Sequence, residues 1–174
     1  KNIGSVKEDL LKEKRISITP ETVKKFKRIN IPVLIEKNYA DHLGISDEEY
    51  KNNGAIIFNS AKEVFDKAEI ILKVNCPKSS EISLIKDSSI IISQLDLNLD
   101  KEIINKLIKK KISVFSLNLL PRITRAQSMD VLSSQANLAG YRAVIESVEE
   151  YDKAIPMMMT AAGTVNPAKV LVIG

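Results

Sequence analysis

The first two-thirds of this chain carry short runs of Ile, Val and Leu that alternate with segments of helical periodicity, and this alternation leaves few folds open. The runs are nearly continuous, which is typical of parallel strands buried on both faces. They predict strands at residues 2–6, 33–36, 55–58, 69–74, 89–95 and 111–117. Parallel strands joined by helices require right-handed crossovers, so the pattern predicts an α/β fold with a doubly wound parallel sheet, Rossmann-like or flavodoxin-like.

Capping residues indicate where the intervening helices begin. Thr19 precedes Pro20, whose missing N–H is one that the first turn of a helix cannot use, and a helix is predicted from there to about residue 29. Ser46 and Ser60 are each followed three residues later by Glu, which is the spacing of a capping box, and Gly54 can end the first of these two helices. A helix over residues 101–110, opened by Asp100, carries an apolar face that consists of Ile103, Ile104, Leu107 and Ile108.

Composition excludes several classes of protein. The 174 residues are enough for one ordinary core, and the single cysteine, Cys76, cannot form an internal disulfide. The net charge of +4 is ordinary, and the lysine-rich runs, apart from Phe26, lack the aromatic residues that stack on nucleic-acid bases. The sequence shows neither a long uninterrupted apolar stretch nor a secretory signal, so a soluble cytoplasmic chain is expected.

The pattern changes after about residue 120. Residues 124–151 contain no proline and read as one long helix, and the apolar run at residues 169–173, followed by Gly174, reads as a buried parallel strand. The predicted organisation is therefore a first Rossmann-like domain at residues 1–123, a linking helix at 124–155, and the incomplete start of a nucleotide-binding Rossmann domain at 156–174.

Three segments carry a resemblance to a known family. They are PRITRAQSMDVLSSQANLAGYRAV at 121–144, PMMMTAAGTVNPAKVLVIG at 156–174, and an N-terminal signature made of Glu8, EKRIS at 13–17 and Thr19-Pro20. The chain resembles the NAD(H)-binding domain of the alpha subunits of proton-translocating NAD(P) transhydrogenases, over essentially its whole length. The N-terminal signature is shared with alanine dehydrogenases.

The resemblance implies an enzyme that transfers hydride from NADH, bound here, to NADP+ held by a separate domain, coupled to proton movement through a membrane-embedded part. It also implies a homodimer of the intact domain and a cytoplasmic location, peripheral at the inner membrane through partner subunits. Because the family's phosphate-binding turn and second nucleotide-binding domain would follow Gly174, the 174 residues alone are expected neither to bind NADH tightly nor to turn over.

Site residues follow from the same resemblance. The family's nicotinamide-holding loop falls on Arg122, Gln127, Asp130 and Ser133, and Gly174 would be the first glycine of a Gly-x-Gly-x-x-Gly turn. A carboxamide offers one acceptor and two donor hydrogens, which these residue types can match. The nicotinamide ring becomes positive as NADH loses hydride, so the Asp130 carboxylate is also expected to favour donation. The only histidine, His42, has no cysteine partner, and no metal site is expected.

Two alternatives remain open at this stage. In an alanine dehydrogenase, Arg15 and Lys73 would bind the keto-acid carboxylate, but Asp96 stands where that family has its catalytic histidine. The second alternative is a non-enzymatic interaction module, in which these residues serve only as a folded scaffold.

Overall fold

The computed structural model describes residues 1–95 and 101–173. It divides into two compact units, Lys1–Met129 and Asp130–Gly174. The expectations placed on Asp96, Asp100 and Gly174 lie outside the described residues.

The first unit is built on a six-stranded sheet in which every pair of neighbouring strands is parallel. Its order, β3-β2-β1-β4-β5-β6, reverses direction between β1 and β4, so the predicted doubly wound parallel fold is confirmed. The strands are β1 (Ile3–Ser5), β2 (Val33–Glu36), β3 (Ala55–Phe58), β4 (Ile70–Asn75), β5 (Ile90–Gln94) and β6 (Ser113–Ser116).

Helices connect these strands, and their caps form as predicted. The side chains of Thr19, Ser46 and Ser60 each accept a hydrogen bond from the backbone amide three residues later. Gly54, at φ 104°, ends the second helix in a left-handed conformation that suits glycine. The helices are α1 (Pro20–Arg28), α2 (Asp47–Asn53), α3 (Ala61–Lys67), α4 (Ser79–Leu84) and α5 (Lys101–Lys109), with 3-10 turns at Asp41–Leu43, Leu117–Leu119 and Thr124–Met129.

Two hydrophobic clusters lie on opposite faces of this sheet. Alternate residues of β2 supply them: Leu34 belongs to the cluster that also includes residues of α3, α4 and α5, whereas Val33 and Ile35 belong to the cluster that includes residues of α1 and α2. Gly4 in β1 permits close packing of α3, because a Cβ there would lie 2.5 Å from the Cβ of Ala68.

The sequence prediction was wrong about two helices of this unit. Helix α4 was not predicted, because its six residues are too few to show a helical period and the residue before it, Lys78, is not a capping type. Of the apolar face predicted for α5, Leu107 is buried and Ile103 packs on the core, but Ile104 and Ile108 are exposed, so the packed face is narrower than expected.

The second unit contains α6 (Val131–Glu149) and an antiparallel hairpin of β7 (Met158–Thr160) and β8 (Gly163–Val165). The helix predicted from residue 124 starts only at 131, because Asp130 caps it and the preceding segment is a 3-10 turn. The strand predicted at residues 169–173 is not formed and its apolar side chains are exposed. A parallel strand exists only through hydrogen bonds to neighbouring strands, and no described strand pairs with this segment.

Within residues 1–95 and 101–173, no helix is both long and apolar enough to pass through a bilayer.

Candidate functional site

A cleft of about 720 Å³ opens in the first unit where β1 and β4 end side by side. Ligands of open α/β sheets bind at the place where the strand order reverses, outside the carboxyl ends of the strands. The lining of the cleft includes cations and carboxylates that follow both strands, and its residues are Lys7, Glu8, Asp9, Leu10, Lys12, Lys73, Asn75, Cys76, Lys78, Glu81, Gln94, Leu95 and Asn118.

A buried lysine forms the floor of this cleft. The Lys73 side chain is 4% exposed, and its Nζ lies 2.8 Å from Oε1 of Glu81 and 3.7 Å from Oε2 of Glu8. A lone ammonium at this depth would be strongly unfavourable, and the two carboxylates offset the cost of burying it. Glu81 also accepts a hydrogen bond from the backbone amide of Lys78 at 2.8 Å, which holds the start of α4 beside the lysine.

Glu8 joins the two central strands. The pairing of β4 with β5 shifts register between Leu72 and Asn75, and the backbone amide of Val74 in this stretch donates to Oε1 of Glu8 at 2.7 Å. Burial raises the pKa of the Glu8 carboxyl, while the nearby Lys73 ammonium opposes that rise. The irregular end of β4 is therefore stabilised by a carboxylate from the loop that follows β1.

Two further ion pairs form in the first unit, one between residues that line the cleft and one in the segment that follows β1. Nζ of Lys78 lies 2.9 Å from Oδ2 of Asp9, and this hydrogen bond lowers the pKa of the Asp9 carboxyl. Arg15 meets Glu13 through two hydrogen bonds, from Nε at 2.8 Å and Nη2 at 2.6 Å, and this contact lowers the pKa of the Glu13 carboxyl. Cys76 also lines the cleft, and burial raises the pKa of its thiol.

The residues predicted to hold the nicotinamide are divided between the two units. Arg122 and Gln127 belong to the first unit and are exposed, and within the part of the chain that the structure describes neither side chain has a hydrogen-bonding or ionic partner. Asp130 and Ser133 belong to the second unit.

Asp130 and Ser133 lie together at the start of α6. Oδ1 of Asp130 accepts from the backbone amide of Ser133 at 2.9 Å, and Oδ2 accepts from its hydroxyl at 2.6 Å. Asp130 is thus the N-cap of the helix, where a negative charge is favoured by the helix dipole.

Sequence reasoning missed the cluster of Glu8, Lys73 and Glu81 as a unit. Glu8 and Val74 are separated by 66 residues, and only the strand order brings them together. The available signal was the position of Glu8 just after one strand and of Lys73 near the end of another. Among the described residues, no group of His, Cys, Asp and Glu is arranged to hold a metal ion.

Comparison with known proteins places the chain in a family. The family model for the alanine dehydrogenase/PNT N-terminal domain matches residues 4–139. An NAD(P) transhydrogenase alpha-subunit protein of Rhodospirillum rubrum is 42% identical over 93% of this chain and 44% of its own length. The alanine dehydrogenase of Methanococcus maripaludis is 33% identical over 99% of this chain and 46% of its own.

The crystal structure of a transhydrogenase from Sinorhizobium meliloti superposes with a TM-score of 0.87 at 43% identity, over 97% of this chain and 50% of that one. The chain thus spans about half the length of these relatives. The resemblance to transhydrogenase alpha subunits is confirmed, and the similarity to alanine dehydrogenases is more distant. The chain belongs to the alanine dehydrogenase/PNT N-terminal domain family.

Proposed function

We propose that this chain forms part of the NAD(H)-binding component of a proton-translocating transhydrogenase. In this role hydride passes from NADH to NADP+ on a separate NADP(H)-binding domain, and a membrane-embedded domain couples the reaction to proton movement. The chain would then lie in the cytoplasm, attached to the inner membrane through its partner subunits, and would form a homodimer as part of the intact domain. The similarity to transhydrogenase proteins of Rhodospirillum rubrum and Sinorhizobium meliloti supports this choice.

The observation that carries the proposal is that the side chains of Arg122 and Gln127, which precede α6 in the sequence, have no partner among the described residues. The structure leaves Arg122 and Gln127 exposed, so their donors are available to a ligand. Asp130 and Ser133 supply acceptor oxygens. Donors and acceptors of this kind fit a carboxamide, and the cofactor supplies the hydride chemistry while the protein supplies orientation and charge. Gly174 would begin the turn of the protein that binds the phosphates of the same cofactor.

The alanine dehydrogenase alternative is less well supported, because the similarity to alanine dehydrogenases is more distant. That alternative needs Arg15 and Lys73 to bind a keto-acid carboxylate. In the structure Arg15 forms an ion pair with Glu13, and Lys73 lies against Glu8 and Glu81. Oxidation of L-alanine by the full-length protein would restore this alternative.

Two exposed arginines provide the test of the proposed function. Arg122→Ala is expected to weaken NADH binding by the full-length protein about 10- to 100-fold, since a hydrogen bond to a charged group contributes about 1.5–3 kcal/mol. Arg125 is also exposed and lies three residues further along, in the 3-10 turn Thr124–Met129, so Arg125→Ala is the matched control and should leave binding unchanged. The measurement is NADH titration together with hydride transfer to NADP+ on the partner domain. Equal effects of the two substitutions, or none, would refute the proposal.

A further inference from the structure

One face of the six-stranded sheet is only partly covered by the helices of the first unit. The chain moves in one direction along the sheet from β1 to β3, and β4, β5 and β6 follow one another in the opposite direction. Because crossovers between parallel strands are right-handed, α1 and α2 lie on one face of the sheet and α3, α4 and α5 on the other. The hydrophobic cluster on the face of α1 and α2 includes no described residue of β5 or β6.

Three apolar side chains lie on this uncovered area. On the other face of the sheet, Ile91 of β5 belongs to the cluster of α3, α4 and α5, and Val114 of β6 packs against it. Since side chains alternate along a strand, Ile90, Ile92 and Phe115 point to the face of α1 and α2. None of these three is part of either cluster of the described residues, and Phe115 is 58% exposed. We call these three residues the β5–β6 face.

The β5–β6 face is continuous and carries no charge. The strand register places Ile92 between Leu72 of β4 and Phe115 of β6. The other side chains that β5 and β6 direct to this side, Gln94 and Ser113, are polar but uncharged. All-parallel sheets occur almost only in proteins where both faces are covered. The β5–β6 face therefore fits an apolar cover.

The size of the β5–β6 face indicates where such a cover comes from. A stable complex of two separate proteins buries at least about 1,000 Å² in total, and three side chains supply well under half of that. A segment of the same chain does not need so large an area, because the tether removes most of the cost of association. The relatives contain such additional chain, since the residues matched here are 44% of the Rhodospirillum rubrum protein and 50% of the Sinorhizobium meliloti chain.

We propose that the β5–β6 face is the docking site for an amphipathic helix from the part of the full-length chain that lies outside residues 1–174. A helix satisfies its own backbone hydrogen bonds, so it can place an apolar stripe on the sheet and keep its polar side in water. It completes the layer that α1 and α2 begin. The inference concerns packing and not the proposed reaction, so a failed test of NADH binding leaves it standing.

Photo-crosslinking in the full-length protein identifies what covers this face. Phe115 is replaced by the photoreactive amino acid p-benzoylphenylalanine, and the matched control carries the same group at Ile108, which is 69% exposed on α5. The variant at Phe115 should form a crosslink within one chain, to a peptide from outside residues 1–174, and the control should not reach that peptide. A product of twice the chain mass would reveal a second copy and overturn the proposal. A crosslink to residues 1–174 or to another protein, or no more crosslinking than in the control, would overturn it as well.

Phe115→Asp tests the same cover through stability. In the 174-residue chain the side chain is exposed, so the substitution should shift the urea midpoint only slightly. In the full-length protein it places a carboxylate under the docked helix and should lower the midpoint of the transition that includes the sheet by about 1 M. Ile108→Asp is the control and should have the same small effect in both chains. Equal shifts for Phe115→Asp in the two chains would show that the face stays open, and the proposal would be wrong.

Discussion

Two buried serines in the sheet differ in what their hydroxyls can reach. Oγ of Ser5 lies 2.8 Å from the hydroxyl of Tyr39, from that of Ser17 and from the carbonyl of Leu72. Oγ of Ser93 is equally buried and has no partner among the described residues. A buried polar atom without a partner costs stability, whereas a satisfied one contributes to it.

The two serines therefore predict opposite results for the same substitution. Ser5→Ala is expected to lower the free energy of unfolding by about 1–3 kcal/mol, because it takes a partner from Tyr39. Ser93→Ala is expected to be neutral or to stabilise the protein by up to about 1 kcal/mol, since it removes an unsatisfied hydroxyl. Urea denaturation of both variants measures the difference. A loss at Ser93 as large as that at Ser5 would contradict this interpretation of the buried polar atoms.

Substitution of Lys73 is expected to lower the stability of the protein by an amount that depends on pH. Lys73→Met leaves Glu8 and Glu81 facing each other without a cation and should cost about 3–5 kcal/mol near neutral pH. Burial already raises the pKa of Glu8 above its ordinary value of 4.5, and removing the lysine raises it further. The native variant then holds a proton that the unfolded chain releases, so its stability falls as the pH rises from about 4.5 through the folded pKa.

The measurement is urea denaturation of Lys73→Met and the natural protein at about pH 5 and about pH 8. The deficit of the variant should be smaller at the lower pH, where Glu8 can be protonated. Adding Glu8→Gln to Lys73→Met provides the control, because the amide can still accept from Val74 but carries no charge. A deficit that does not change with pH, or that the second substitution leaves in place, would show that lost packing is the cause.

Residues that lie close together in the sequence were easier to propose for a site than residues that only the fold brings together. Asp130 and Ser133 are three residues apart, and a local resemblance was enough to propose them as site residues, which they remain as a prediction. The contact of Glu8 with Val74 spans 66 residues and forms only where β4 leaves its register with β5. Neither the strand order nor this irregularity is encoded in a local pattern, so the charged floor of the cleft could not be predicted.

At the scale of elements, two glycines with different surroundings give a paired prediction. A Cβ on Gly4 of β1 would lie 2.5 Å from the Cβ of Ala68 and 2.8 Å from Cγ1 of Val64, on or beside α3. Gly4→Ala should therefore cost about 1–3 kcal/mol, as the helix is pushed from the sheet. Gly140 of α6 has open space around it, and Gly140→Ala should increase the helix content and stabilise α6 by about 0.5–1 kcal/mol.

Far-UV circular dichroism through a urea titration follows both glycine variants. Gly4→Ala should lower the midpoint of the main transition, and Gly140→Ala should raise the helical signal without lowering that midpoint. If Gly4→Ala unfolds at the natural midpoint, the close approach of α3 to β1 is not required for stability.

Element boundaries were predictable where the local signals were strong. Strands β2 and β3 begin and end as predicted. Each is a short apolar run that directly follows a residue that interrupts regular structure, Pro32 before β2 and Gly54 before β3. The hairpin of β7 and β8 was missed since its two-residue loop is Ala161-Ala162, without the Asn-Gly or Asp-Gly signal of tight hairpins. The apolar run at 169–173 has strand composition, but composition cannot supply the neighbouring strands it needs.

At the scale of the whole molecule, the two units differ in the size of the hydrophobic core that each contains. Both hydrophobic clusters lie within the first unit, Lys1–Met129. In the second unit, α6 has no buried residue and the strands of the hairpin are exposed. The hydrophobic contribution to stability scales with the apolar area removed from water, so the first unit should carry nearly all of it.

A chain of residues 1–129 is therefore expected to fold alone and to unfold in one cooperative step, at the urea midpoint of the main transition of the 174-residue chain. Tyrosine fluorescence can report this step without added labels, because the chain has no tryptophan and its four tyrosines are divided evenly. Tyr39 and Tyr50 pack edge to face in the first unit, while Tyr141 and Tyr151 belong to the second. Replacing the latter two by Phe in the longer chain isolates the signal of the first unit. A shorter chain that lacks a cooperative transition, or that unfolds at a clearly lower midpoint, would mean that the core clusters of the sheet depend on residues after Met129 for their stability.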